Sequence, residues 1–430
     1  MRLALKVCLG LTLASTLVRG ADWPQWRGPT RNGVWPETGL VDHFDKPRLD
    51  LVWRAPISSG YSGPTVAQGR VYVTDRVVEP KQVERVHCFD ERTGEGLWTF
   101  SYACQYRGVS YDAGPRAAVT IHDGRAYALG TMGNLHCLDA ATGSVLWAKD
   151  LNREYSIRMP IWGIAGAPLI EGDLVILQIG GSPGACVIAL DRLTGRERWR
   201  SLDDPASYSA PLIIDQAGRR VLVCYTGENV VGLDPNRGDL LWKYPFPARQ
   251  MIIGIADPVF HDGKLFLTNF FDGSLLLKLG KGKPSVTKVW QRVGPSERET
   301  QALQSIISTP LLSGKYIYGV DSYGELRCLK LKTGARVWES LDAVPRARWA
   351  TIHIVANGDK VWMFNERGEL LIAQLSPEGF REISRAKLID PSQGQLRQRG
   401  GVCWSHPAFA NRHVFARNDK ELVCASLAKP

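Results

Sequence analysis

The chain has 430 residues, 44% of them hydrophobic, and carries 53 Lys and Arg against 43 Asp and Glu, for a formal net charge of +10. This hydrophobic content is ample for a packed core. The basic balance permits anionic partners without naming one, and no run of Lys and Arg with interleaved aromatic residues predicts a nucleic-acid groove.

The first twenty residues differ from the rest of the chain. Arg2 and Lys6 give a positive start, residues 9–18 are small and apolar, and small residues flank Arg19 just before Ala21. This pattern predicts a cleavable signal peptide over residues 1–20 and an exported protein of the periplasm or cell envelope. An uncleaved anchor is the alternative, although the apolar run is short for a membrane span. Cleavage would bring the net charge to about +7 and leave no membrane span.

Residues 21–50 form an irregular leader that is rich in Trp and Pro, with Trp23 and Trp26 near its start. It shows no helical or strand periodicity. Trp residues in such a segment usually cover a hydrophobic surface. We expect the leader to brace the single domain that follows, residues 51–430, rather than to bind a ligand.

A sequence repeat organises that domain. Its clearest copy has Cys137, then Asp139, then Thr142-Gly143, then Trp147. The motif tryptophans recur every 43–52 residues, and roughly 40–50 residues is the length of one four-stranded propeller blade. The structural positions of the repeat are Trp53, Asp90, Gly94, Trp98, Asp139, Gly143, Trp147, Asp191, Gly195, Trp199, Asp234, Gly238, Trp242, Trp290, Gly334 and Trp338.

Each motif residue has a mechanical role. The Asp and Thr side chains can cap backbone N–H groups in the turn between the third and fourth strands, and Gly supplies a positive φ there. The Trp buries a large ring against the next blade. Blade five departs from the pattern, because Leu279-Gly280 leads into Lys281 and Pro284, and a looser turn is expected there.

Short apolar runs rich in β-formers, bounded by Gly-containing turns, predict an all-β eight-bladed propeller. The chain ends before a last fourth strand, so the strand around Trp53 is expected to complete blade eight and close the ring. Seven blades is the alternative, because in the seventh Ser376-Pro377 replaces the Asp turn and Ile383 or a neighbour replaces Trp. The predicted blades span residues 61–100, 115–151, 163–201, 208–244, 254–291, 305–340, 347–388 and 402–425.

The cysteines divide into two groups. Cys88, Cys137, Cys328 and Cys424 share one repeat position and are expected to be small buried core residues, with Cys8 removed in the signal peptide. The stronger candidates for a disulfide lie outside that position, and they are Cys104 and Cys403. No Cys-x-x-Cys and no Cys/His cluster predicts a metal site.

The loops that enter the first strands should form one mouth of the central channel. They share a residue-Pro step, for example Gly63-Pro64 and His406-Pro407. Aromatic, Arg and His residues near these steps suit planar, anionic or sugar-like ligands, although such residues also plug channels by plain packing. The candidate binding residues are Tyr111, Arg116, Arg158, Trp162, Tyr208, Trp349, His353, Trp404 and His406, with Tyr61 nearby.

Asp257 is the sole acid at this predicted mouth, so it could act as a base or a calcium ligand. His353 and His406 alone do not make a metal site. No Ser-His-Asp pattern, paired carboxylates or phosphate-binding Gly loop is present.

The repeat resembles the quinoprotein-type repeat, Ala-x-Asp-x-x-Thr-Gly-x-x-x-Trp, over nearly the whole domain. The resemblance extends to non-enzymatic scaffolds similar to the outer-membrane assembly lipoprotein BamB, and the leader resembles that of exported planctomycete-type repeat proteins. It also extends to dehydrogenases that bind pyrroloquinoline quinone and calcium, which implies a catalytic role for Asp257. Those enzymes are known for a vicinal Cys-Cys pair, and this chain has none.

We therefore expect an exported, monomeric, non-catalytic scaffold that binds a protein partner in the cell envelope, with no cofactor. Two alternatives stay open. One is a dehydrogenase that uses pyrroloquinoline quinone and calcium, and the other is a propeller that binds a glycan or small molecule at its Trp-rich mouth.

Overall fold

The computed structural model describes residues 21–392 and 400–430, so the predicted signal peptide lies outside the described residues. Within those ranges the strands form eight four-stranded antiparallel sheets, arranged as an eight-bladed β-propeller. The predicted fold is confirmed, and the seven-blade alternative is wrong because the seventh unit is a complete sheet.

Strand β1 (Leu51–Pro56) follows the leader. Blade one contains β2 (Thr65–Ala67), β3 (Arg70–Val77), β4 (Val83–Asp90) and β5 (Gly96–Ala103). Blade two contains β6 (Thr120–His122), β7 (Arg125–Leu129), β8 (Asn134–Asp139) and β9 (Val145–Asp150), followed by the helix α1 (Leu151–Tyr155). Blade three contains β10 (Leu169–Glu171), β11 (Leu174–Gly181), β12 (Ala185–Asp191) and β13 (Glu197–Ser201). Blade four contains β14 (Leu212–Gln216), β15 (Arg219–Tyr225), β16 (Asn229–Leu233) and β17 (Leu240–Pro245).

The second half of the ring repeats this order. Blade five contains β18 (Val259–His261), β19 (Lys264–Asn269), β20 (Gly273–Leu279) and β21 (Val286–Arg292). Blade six contains β22 (Leu311–Ser313), β23 (Tyr316–Val320), β24 (Leu326–Lys330) and β25 (Arg336–Ser340). Blade seven contains β26 (Ile352–Asn357), β27 (Lys360–Asn365), β28 (Glu369–Ser376) and β29 (Gly379–Lys387). Blade eight contains β30 (Ala408–Ala410), β31 (His413–Arg417) and β32 (Glu421–Ser426). No helix in the described part of the chain has the length and apolar character needed to cross a membrane.

Blade eight closes the ring with strands from both ends of the chain, as predicted. Its order is β1-β32-β31-β30, and Trp53 on β1 lies opposite Cys424 on β32. The first strands of several neighbouring blades touch one another, which places them around the central channel.

The Asp-x-x-Thr-Gly turn works as its residue types predict. In blade two, Asp139 Oδ1 accepts hydrogen bonds from the backbone N–H groups of Ala141 and Thr142 and from the Thr142 hydroxyl, at 2.8–3.0 Å. These bonds hold the pKa of Asp139 below its usual value, the Thr142 hydroxyl first among them. Gly143 completes the turn at φ +74°.

In six of the eight blades, the indole N–H of the motif Trp donates to a backbone carbonyl of the next blade. Trp98 Nε1 of blade one donates to the Ala140 carbonyl of blade two at 3.2 Å, and its ring covers Gly143. The equivalent donors and acceptors are Trp147 and Arg192, Trp199 and Pro235, Trp290 and Leu331, Trp338 and Ser376, and Trp53 and Glu91. The tight turn thus connects two strands of its own blade and also contacts the Trp of the preceding blade through its backbone.

A small residue in the third strand makes room for two rings. Cys137 is fully buried, and it lies opposite both Tyr127 and Trp147, whose ring centroids are 6.1 Å apart. Cys88, Cys328 and Cys424 are buried in the same register position, which confirms that they are small core residues. The expected disulfide is wrong: Cys104 and Cys403 are both free, and each thiol lies near an oxygen acceptor, the Cys104 thiol near Asn134 and the Cys403 thiol near Asp390.

Blade seven replaces its missing Trp with a residue from the leader. The register places Ser384, rather than Ile383, at the Trp position opposite Ile372. Ser384 Oγ accepts a 2.8 Å hydrogen bond from the backbone N–H of Phe44. The Phe44 ring packs 6.2 Å from the second-strand ring of Trp362, the separation that Tyr and Trp have in the other blades.

The rest of the leader runs across the base of the ring. Trp23 forms two backbone hydrogen bonds with Val66 of blade one, and Trp35 donates to Ala356 of blade seven. Both Trp rings are buried. The leader therefore braces several blades, and Trp26 lies between these anchor points.

Candidate functional site

The strongest candidate site is a pocket in the channel mouth, formed by the loops that lead into the first strands. Its cavity volume is about 160 Å3. Ten residues that the sequence places at the mouth line it together, and they are Tyr61, Tyr111, Arg116, Trp162, Tyr208, Asp257, Trp349, His353, Trp404 and His406.

One predicted residue lies elsewhere. Arg158 is exposed and does not line the pocket; its backbone N–H donates to Gly180 at 3.3 Å. Arg158 follows α1 and lies before the turn that leads to Trp162. Its closeness to Trp162 in the sequence suggested a place in the pocket that the structure does not give it.

The apolar part of the pocket lining comes from residues that the sequence did not single out. Trp26 enters from the leader, and Ile255, Ile306 and Ile307 come from the loops before β18 and β22. The three isoleucines stand two to four residues before a residue-Pro step, a position that could have identified them. Trp26 had no such signal, because the leader has no repeat.

Aromatic residues from separate blades meet at the pocket opening. The Tyr111 ring lies 5.9–6.1 Å from the rings of Trp162, Trp349 and Trp404. Tyr111 and Trp349 both have left-handed backbones, at φ +53° and +67°. Such conformations are costly for residues with bulky side chains, so the surrounding loops must hold these two rings in place.

Asp257 is fully engaged by the protein itself. Its Oδ1 accepts the Ala210 backbone N–H at 2.8 Å, and its Oδ2 accepts the indole N–H of Trp26. Burial raises the pKa of Asp257, an effect that the nearby Arg27 partly offsets. The predicted base therefore lies beneath the leader with both oxygens occupied.

Two arginines of the leader lie near this carboxyl group. Arg31 is buried and donates to the carbonyl groups of Ala167 and Pro168 at 3.0 and 3.3 Å. Burial lowers the pKa of Arg31 to about 10, against the opposing effect of Asp257. Two guanidinium groups thus lie near one carboxyl group, although neither arginine lines the pocket itself.

The two histidines are desolvated. His353 Nε2 donates to the Trp404 carbonyl at 2.9 Å, and the His353 and His406 rings are 6.2 Å apart. Burial lowers the pKa of His353 to about 4 and that of His406 well below its ordinary value. Both rings are therefore neutral at pH 7. Among residues 21–392 and 400–430, no group of three or more His, Cys, Asp or Glu is arranged to hold a metal ion.

The donor set does not fit calcium with pyrroloquinoline quinone. Calcium takes about six to eight oxygen ligands, chiefly carboxylates and carbonyls. In the part of the chain that the structure describes, Asp257 is the one carboxylate that lines the pocket, and both of its oxygens already accept hydrogen bonds from the chain.

Arg116 forms part of the pocket wall and is held by neutral partners. Its two terminal nitrogens donate to the carbonyls of Gly114, Ser110 and Tyr111 and to the Thr131 hydroxyl. Its guanidinium carbon lies 5.0 Å from the centre of the Tyr61 ring. Burial lowers the pKa of Arg116, so the local environment disfavours the charge that the side chain carries.

Comparison with known proteins identifies two kinds of relative. A family model described as outer membrane protein assembly factor BamB matches residues 82–340. Outer membrane protein assembly factor BamB of Shewanella oneidensis is 24% identical over 230 residues, which is 52% of this chain and 56% of that protein. The 1-butanol dehydrogenase (quinone) of Thauera butanivorans is 30% identical over 168 residues, which is 36% of this chain and 26% of that enzyme.

The chain spans only about a quarter of the length of the quinone-dependent relatives and just over half of the BamB relatives. The solved structure of BamB from Moraxella catarrhalis aligns with a TM-score of 0.60 at 16% identity, covering 88% of this chain and 99% of that one. At that identity, the structural match shows a shared fold.

Proposed function

Because the chain belongs to the family described as outer membrane protein assembly factor BamB, we propose that it is an exported, non-catalytic scaffold that binds protein partners in the cell envelope. The BamB relatives are themselves named as assembly factors, which supports a role in holding other proteins. The predicted signal peptide supports the cellular location.

The state of Asp257 carries the non-catalytic part of the proposal. A general base must lie within hydrogen-bond reach of the proton that it abstracts. Among the described residues that line the pocket, Asp257 is the only carboxylate, and it is covered by Trp26 and bound by Ala210. The two neutral histidines are also buried, so neither they nor Asp257 presents an exposed group for acid–base chemistry.

The outer rim of the ring favours protein contacts. The fourth strand of each blade is a sheet edge, and in several blades the residue before the motif Trp is an exposed apolar side chain. These residues are Val52, Leu97, Leu146, Val289 and Val337. Strand edges beside apolar side chains are surfaces on which another chain can add a strand or pack a loop. We place the proposed partner on this rim.

Site-specific photo-crosslinking in intact cells tests the proposal. A photoreactive residue at Leu146 should capture an envelope protein, because this side chain is exposed on the edge strand β9. The matched control is the same probe at Arg107, an exposed position in the loop after blade one, which should capture far less. Equal capture at both positions, or none at any rim position, would contradict a rim-bound partner.

A quinone-dependent dehydrogenase is the second candidate, favoured by the 30% identity to 1-butanol dehydrogenase (quinone). Titration of the mature protein with pyrroloquinoline quinone and calcium, followed by dye-coupled alcohol oxidation, separates the two. We expect no turnover in the wild type or in Asp257→Asn. Turnover in the wild type that Asp257→Asn abolishes would overturn the scaffold proposal.

A further inference from the structure

The pocket in the channel mouth has the size and lining for one aromatic ring. Its volume of about 160 Å3 is close to the ~150 Å3 of an apolar cavity that admits benzene. Trp, Tyr, Ile and Ala side chains form most of its surface. A flat apolar ligand would therefore bury its faces against Tyr111, Trp162 and the isoleucines of the lining.

The charge around the pocket favours an anion. Within residues 21–392 and 400–430, no carboxylate forms an ion pair with Arg116, whose guanidinium is fixed by four bonds to neutral oxygens. The buried carboxylate of Glu84 is engaged elsewhere, by the hydroxyls of Tyr102 and Tyr106 and the Thr131 N–H. In the described part of the chain, Arg116 is therefore a preorganised, partly buried positive charge without a carboxylate partner.

The leader adds to this excess near Asp257, although neither of its two arginines lines the pocket. Arg27 and Arg31 lie near the single carboxyl group of Asp257, so the leader brings two positive groups against one acid. A cationic ligand is disfavoured further, because the Arg348 guanidinium already lies 4.5 Å from the centre of the Trp349 ring.

We propose that the mouth pocket binds a small planar aromatic carboxylate, with its ring among Tyr111, Trp162 and Trp404 and its charge neutralised by Arg116. This binding needs neither calcium nor a quinone, and it does not depend on the scaffold role. A sugar fits less well, because its many hydroxyl groups need polar partners, whereas Trp, Tyr, Ile and Ala side chains form most of the lining.

Benzoate and its neutral analogue benzamide are the probes for this proposal. The mature protein, residues 21–430, is titrated with each probe by tryptophan fluorescence and calorimetry. We expect saturable benzoate binding with a Kd of about 1 mM or tighter, as suits a ligand of this size. Benzamide should bind about tenfold more weakly, because it lacks the charge that Arg116 attracts. Equal affinities, or no saturable binding of benzoate, would overturn the proposal.

Variants assign the selectivity to Arg116. Arg116→Gln should weaken benzoate binding about tenfold and leave benzamide binding unchanged, which also shows that the pocket still forms. Arg107→Gln is the matched control, because Arg107 is exposed in the same loop and should change neither affinity. If Arg116→Gln does not fold, Arg116→Lys keeps the charge and should keep the preference for benzoate. Loss of the preference in folded Arg116→Lys, or the same loss in Arg107→Gln, would contradict the role of Arg116.

Discussion

Gly143 illustrates how one residue of the motif serves two blades. Its φ of +74° suits glycine in the turn of blade two, and the Trp98 ring of blade one lies directly against it. A Cβ atom at this position would lie 2.6 Å from Cε3 of Trp98. The glycine is therefore required by backbone conformation and by close packing, and the two requirements can be separated.

We predict that Gly143→Ala destabilises the protein by about 2–4 kcal/mol, since it combines a strained left-handed alanine with overpacking against Trp98. Gly124→Ala is the matched control: φ is +70°, but nothing lies within 4 Å of the added Cβ. It should lose only about 1–2 kcal/mol. Urea unfolding at constant m-value measures both changes. Equal losses would show that the Trp98 ring moves aside freely.

Two buried histidines make stability depend on pH. Burial lowers the pKa of His353 and of His136 to about 4 each, whereas the unfolded chain titrates near 6.5. Between these values the unfolded state binds more protons than the folded state, so stability falls as the pH drops from about 6.5 to about 4. Each residue contributes at most about 3 kcal/mol to this loss.

Replacing one of these histidines should make the free energy of unfolding depend less on pH below about 6.5. We predict that His353→Gln, whose amide can still donate to the Trp404 carbonyl, loses less stability between pH 7 and pH 5 than the wild type does. His122→Gln is the control, because the His122 side chain is largely exposed. Urea unfolding at the two pH values measures the difference. An unchanged slope in His353→Gln would mean that folding does not lower the pKa of His353.

At the scale of elements, the turn of blade five shows what a local departure does to an interface. Because residues 281–284 replace the Thr-Gly turn, Trp242 of blade four finds no equivalent carbonyl. Its indole N–H instead donates to Gln216 Oε1 at 2.9 Å, and the Gln216 amide donates to the Ser285 carbonyl of blade five at 2.6 Å. Gln216 thus relays the contact across the interface.

Repeat spacing predicted the sheets well, because motif and strand lie within one blade. The exceptions involve residues that are distant in sequence. Gln216 reaches Ser285 across 69 residues, and Phe44 takes the Trp position of blade seven across 340 residues. Neither partner carries a repeat signal, so the sequence located the Trp position of blade seven only to Ile383 or a neighbour, and the role of Phe44 could not be predicted.

Most of the pocket lining, like most of the sheets, could be predicted from the repeat. The residue-Pro steps mark where the chain enters each blade, so most of the aromatic and charged lining residues could be identified. Trp26 could not be identified in this way, because the leader does not contain the repeat. Its contact with Asp257 nevertheless decides what that carboxyl group can do. Here the sequence identified the residue, and its chemistry depends on a neighbour 231 positions away.

The whole ring depends on one seam between the two ends of the chain. Strand β1 pairs with β32, and Trp53 on β1 locks blade eight onto blade one through the Glu91 carbonyl at 2.8 Å. The Trp53 ring also packs over Gly94. At the other blade junctions, the strand that carries the motif Trp follows the preceding strand through a short turn. At this seam, β1 is joined to β32 by noncovalent contacts and belongs to the opposite end of the chain.

We predict that Trp53→Ala opens the ring at this seam. Loss of a buried Trp costs about 3–5 kcal/mol, and detachment of β1 would expose the edge of β32, which invites pairing with a second molecule. Trp98→Ala is the matched control, because it removes the same lock while β5 remains tethered to β4 by its turn. Both variants should lose similar stability. Trp53→Ala alone should form oligomers in light scattering and lose hydrogen-exchange protection in β32. Oligomers in both variants would show that any broken lock opens the ring, and a monomeric Trp53→Ala with protected β32 would show that strand pairing alone holds the seam.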